Sequence, residues 1–137
     1  MIKENSVKNN IKKLLADSQV GTLFNYNDFS SCGTYTAIRS AVVYLCKNKL
    51  LERVCQGVYV KPGSKGERYN IDNIMLAKEI DRKNGAIATP RGKTLEYVNG
   101  QLKQLPSILE FYSTGSGRII QLPDGTVVKY TLRSRFS

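Results

Sequence analysis

Histidine is absent from all 137 residues. That removes the commonest general base near neutral pH and the commonest zinc ligand. Asp72, Glu79, Asp81, Glu96 and Glu110, five of the six acids of the second half, are scattered, and no pair stands out for acid–base or metal-assisted chemistry. Cysteine is scarce: Cys32, Cys46 and Cys55 include no Cys-x-x-Cys pair, and an odd, sparse count does not read as a disulfide framework. Long apolar runs are missing as well. The longest, Ala41–Cys46, is far short of a membrane span. The first residues, Met1-Ile2-Lys3-Glu4-Asn5, lack the apolar stretch of a signal peptide, so the expected compartment is the cytoplasm. These absences argue against an enzyme, a disulfide scaffold and a membrane protein, and no cofactor is expected.

What is present is positive charge on a chain able to fold. Hydrophobic residues make up 41%, enough for a core, and the net charge is +10. Residues 1–68 carry 11 Lys/Arg against 5 Asp/Glu, and residues 69–137 carry 10 against 6. A basic chain of this size favours a polyanionic partner, because each neutralised phosphate releases condensed counterions.

Periodicity divides the first half into helix, short helix, helix and hairpin. Val7, Ile11, Leu14 and Leu15 mark one face of a helix over residues 6–17, with Lys8, Lys12 and Lys13 off that stripe, facing water or a ligand. Thr22–Phe24 suits a short strand. Asn25 suits an N-cap for a helix from Tyr26 to Ser31, anchored by Phe29. After Gly33, Thr34 caps a third helix reaching about Asn48, with Ile38, Ala41, Val42 and Leu45 buried. Leu50–Val60 reads as a hairpin turning at Gln56-Gly57. Lys61–Gly66 is rich in turn residues, which places a connector at about 61–70 between domains 1–63 and 64–137.

The second half opens with a helix over about 71–83, with Ile71, Ile74, Met75 and Ile80 on its apolar side. A short strand at 86–88 and a helix begun by Pro90 follow. Strands are expected at 109–113, 118–122 and 126–132. The predicted fold class is α+β: an N-terminal winged helix-turn-helix, then a small α+β domain with an antiparallel β-meander.

A winged helix-turn-helix lays its third helix in the major groove. Thr34, Tyr35, Thr36, Arg39, Ser40, Val43 and Lys47 are the candidate DNA-facing residues of that helix. Arg39 has the fork geometry for a guanine, Val43 or Thr36 an apolar surface for a thymine methyl, and Tyr35 a hydroxyl for a phosphate. In the hairpin and connector, Arg53, Gln56, Lys61 and Lys65 are candidates for the DNA backbone or minor groove. Arg91, Lys93 and Arg118 are candidate partner or nucleic-acid contacts of the second half. Arg91-Gly92-Lys93-Thr94 superficially suggests a phosphate loop, but Ile87 stands where the first glycine is needed and Pro90 removes a backbone donor.

The stretch from Gly21 to Gly63 resembles the N-terminal domain of AbiEi-type antitoxins of type IV toxin–antitoxin systems. The most similar part is Leu51–Pro62, with Arg53-Val54, Gly57-Val58-Tyr59 and Pro62-Gly63. The second half, with Gly85, Pro90-x-Gly92 and Asn99-Gly100 before its strands, resembles the shorter members of that group. The resemblance implies an autorepressing regulator that binds double-stranded DNA. It also implies a second half that helps counter a nucleotidyltransferase-like toxin, and no catalytic residue. A protein-interaction module that neutralises such a toxin, with DNA binding secondary, is the alternative. Oligomeric state is open.

Overall fold

A computed structural model describes residues 4–63 and 71–133. The chain is α+β and divides into two compact units, Met1–Ile71 and Asp72–Ser137. Of the predicted connector, residues 64–70 lie outside the described part.

The first unit runs α1 (Glu4–Ala16), β1 (Leu23–Phe24), a 3-10 helix (Tyr26–Cys32), α2 (Tyr35–Lys47), β2 (Glu52–Cys55) and β3 (Val58–Val60). Val7, Ile11 and Leu15 of α1 are buried against Ile38, Ala41, Val42 and Leu45 of α2, as the periodicity predicts, whereas Leu14, expected on the same face, lies at its margin and is 36% exposed. Phe29 of the 3-10 helix is fully buried beside Phe24, ring centres 5.5 Å apart. The 3-10 helix opens on a reciprocal capping box. Asn25 accepts from Asn27 N, and the Asn25 backbone N–H donates to the Asp28 carboxylate. The strands form an antiparallel sheet in the order β1-β3-β2. Gly57 turns the β2–β3 hairpin at φ +76°, where a side chain would strain the backbone.

The second unit contains α3 (Asn73–Arg82), β4 (Ala88–Pro90), α4 (Gly92–Val98), β5 (Ile108–Ser113), β6 (Arg118–Gln121) and β7 (Val127–Leu132). It departs from expectation in three places. The strands do not form an antiparallel meander: the order is β4-β5-β7-β6, with β5 and β7 parallel. The β6–β7 hairpin is antiparallel, and β7 inserts between β5 and β6. The Thr114–Gly117 link carries the chain past the end of β7. Within this link a Cβ on Gly115 would come within 2.9 Å of Ala86 Cβ, so the missing side chain lets the two segments approach closely. Pro90 does not start a helix. It lies in β4 opposite Phe111, at the sheet edge where a missing N–H is tolerated.

The apolar side of α3 also differs. Met75 is 54% exposed, whereas Leu76, Glu79 and Asp81 are buried. Two acids lie on the inner side because arginines neutralise them. Arg82 grips Glu79 through two 2.7 Å contacts, and Arg118 of β6 donates to Asp81 at 2.9 Å. The second partner lies 37 residues downstream, beyond any helical periodicity.

Candidate nucleic-acid interface

The candidate site is the outer face of α2. Thr34 caps this helix by accepting from Ala37 N at 3.3 Å. With Ile38, Ala41, Val42 and Leu45 buried, helical spacing turns Thr36, Arg39, Ser40, Val43 and Lys47 to the other side, and all five are exposed. Tyr35, at the N-terminal end, is 61% exposed. This face joins a cation able to fork onto a base edge, small hydroxyls, an apolar Val43 and a C-terminal lysine.

Aromatic residues bracket the face. On one side Tyr44 receives two lysines of α1: Lys8 Nζ lies 4.0 Å and Lys12 Nζ 5.7 Å from its ring centre. On the other side Tyr26 meets Tyr35 and Tyr59 edge-on, with ring centres 5.7 and 5.6 Å away. Arg39 reaches back over the Tyr35 ring at 5.7 Å. The tyrosines tie the start of α2 to the 3-10 helix and β3. Periodicity sets Lys8 and Lys12 off the core stripe, but it does not single out Tyr44. Their meeting depends on how α1 packs on α2.

Tyr59 is buried, and its hydroxyl shares a 2.8 Å hydrogen bond with that of Tyr26. Burial first, and then this hydrogen bond, raises its phenol well above the ordinary value near 10. The unfolded chain therefore loses this proton at lower pH than the folded one. Stability is full below about pH 10 and falls as pH rises further. Tyr59→Phe is expected to flatten that alkaline loss, read by comparing unfolding at about pH 9 and about pH 11. An unchanged slope would remove Tyr59 as its cause.

The other predicted residues are spread out. Arg53 and Gln56 are exposed on the β2–β3 hairpin. Lys61 is used inside the unit: its ammonium donates to Leu15 O at 2.5 Å, in the last turn of α1, and to Ser18 O at 2.7 Å, just beyond it. The negative end of the helix dipole attracts a cation there, which explains the placement. Lys61→Met is expected to lower stability by about 1–2 kcal/mol, read by denaturant unfolding. An unchanged midpoint would mean that these contacts do not hold the unit together. Lys65 lies outside the described residues.

In the second unit, Arg118 is occupied by Asp81 and lies 4.1 Å over the Tyr130 ring. Arg91 faces Glu110 at 3.8 Å and Tyr112 at 5.0 Å, and Lys93 is exposed on the first turn of α4. The cysteines form no disulfide, and burial raises the thiol pKa of Cys32 and Cys46. Among the described residues, no three Cys, Asp or Glu side chains gather as a metal site, and no helix is long and apolar enough to cross a membrane.

Fold and surface thus define a two-unit α+β protein with an exposed, basic, tyrosine-bracketed helix. The chain belongs to a family of unknown function, DUF6088, which matches residues 10–131. No curated protein and no solved structure matches it.

Proposed function

We propose that this chain is a DNA-binding transcriptional regulator whose first unit acts as a winged helix-turn-helix. The supporting observation is the outer face of α2, where Thr36, Arg39, Ser40, Val43 and Lys47 are exposed together between the Lys8–Lys12–Tyr44 group and the Tyr26–Tyr35–Tyr59 group. In this reading α2 enters the major groove. Arg39 and its neighbours read base edges, the lysines of α1 hold phosphates, and the β2–β3 hairpin brings Arg53 and Gln56 to the backbone as a wing. The activity is binding, without catalysis.

The resemblance of Gly21–Gly63 to AbiEi-type antitoxins extends the proposal to an autorepressing antitoxin, with DNA upstream of its own gene as the site and a toxin as the second partner. The deciding experiment titrates the full chain against that upstream duplex and a random duplex at several salt concentrations. Tighter binding to the upstream duplex, with a steep salt dependence on both, is the expected result. Equal affinity for the two would reduce α2 to a non-specific basic surface.

A further inference from the structure

The four-stranded sheet of the second unit has two unlike faces. On the inner face Leu109, Phe111, Val128 and Tyr130 are buried, and the Tyr130 hydroxyl donates to Ala77 O of α3 at 2.6 Å. On the outer face, alternation along β5, β6 and β7 sets Glu110, Tyr112, Ile119 and Lys129, none of them buried. Arg91 and Arg133 complete it beside Tyr112, with guanidinium carbons 5.0 and 5.1 Å from the ring centre. Lys129 pairs in register with Glu110 on one side and Ile119, 68% exposed, on the other.

We propose that this outer face binds single-stranded nucleic acid, with a base on Tyr112 and phosphates on Lys129, Arg133 and Arg91. Charge complementarity favours a polyanion, because three cations stand against one carboxylate. The aromatic ring chooses among polyanions. An acidic peptide would use the cations and leave Tyr112 without a role, whereas an unpaired base has a π-face to stack on it. A duplex keeps its bases stacked inside and cannot offer one to a sheet.

The arginines differ in a way that fits. Arg118, on the inner face, is held at 2.9 Å by Asp81. Arg91 is held loosely: its contact with Glu110 is 3.8 Å, its hydrogen bond to Thr131 is 3.4 Å, and its buried Nε has no hydrogen-bond partner. Little is lost when Arg91 turns toward a phosphate, and Tyr112 then becomes available to a base. This site is separate from the face of α2 and stands or falls apart from it.

The test follows the full chain by fluorescence anisotropy with labelled homothymidine and homouridine strands, in excess unlabelled duplex DNA that occupies α2. Binding to at least one strand is expected to persist, and the two strands distinguish a DNA from an RNA ligand. Tyr112→Leu should weaken it by about tenfold or more and leave duplex affinity unchanged. Lys129→Gln with Arg133→Gln, both exposed and safe for the fold, should lower the salt slope for the strand by about 1.4. Complete competition by duplex, equal competition by polyglutamate, or wild-type strand binding by the Lys129/Arg133 variant would each overturn the proposal.

Discussion

Arg118→Ala is expected to destabilise the second unit by about 3–5 kcal/mol, the largest stability loss from any single charged residue described. Asp81 is 1% exposed, and one of its oxygens, Oδ1, is held by the Arg118 guanidinium at 2.9 Å. Its other oxygen, Oδ2, is buried and has no hydrogen-bond partner. Removing the arginine leaves a carboxylate in an apolar setting with neither counter-charge nor donor. The same change takes the cation from the Tyr130 ring, which it faces at 4.1 Å. Removing both charges together avoids most of this cost, because an apolar pair of similar volume leaves nothing unsatisfied. Arg118→Met with Asp81→Leu should therefore unfold much closer to wild type than Arg118→Ala does. Denaturant unfolding of the three proteins decides the matter. If the single variant is no less stable than the double one, the pair does not hold this unit together.

The second large effect concerns binding. Replacing Lys8, Lys12 and Lys47 together by glutamine should reduce duplex affinity on the order of a hundredfold at about 0.1 M salt, and lower the salt slope by about 2.7. All three ammonium groups border the outer face of α2, two of them over Tyr44. Glutamine keeps the helical propensity and most of the stem and removes the charge. The loss should be shared by cognate and random duplexes, because phosphates carry no sequence information. Arg39→Ala should behave differently, costing about 1–3 kcal/mol on the cognate duplex and little on random DNA. Losses from both variants that fall equally on both duplexes would mean that Arg39 only contacts backbone. An unaltered salt slope in the lysine variant would move the interface away from α1.

The helices of the first unit are legible from local signals. Val7, Ile11 and Leu15 recur at one-turn spacing, Thr34 caps α2, and Gly57 supplies the positive φ of the hairpin. Burying Ile38, Ala41, Val42 and Leu45 forces Thr36, Arg39, Ser40, Val43 and Lys47 outward, so residue spacing alone is enough to pick out the candidate face. Helical geometry links these positions within a few residues of one another.

Longer-range features are not legible in this way. Lys61 resembles any other basic connector residue, and only the fold sets its ammonium against carbonyls more than forty residues earlier. Periodicity weighs apolar character alone, so it puts Met75 in the core and leaves Asp81 a scattered acid. Arg118 reverses that reading from another strand. The strands of the second unit are visible as short apolar runs, but their order is not. Alternation tells which residues share a face, and it does not tell which strand lies beside which.

The sequence by itself therefore determined the elements, most of their buried stripes and the residues exposed on α2, since these depend on backbone geometry over a turn or two. Tertiary structure alone decided the parallel β5–β7 pairing, the burial of Asp81 beneath Arg118, the capture of Lys61 and the meeting of Lys8 and Lys12 over Tyr44. Each of these pairs groups far apart along the chain, and only packing in three dimensions sets the distance between them.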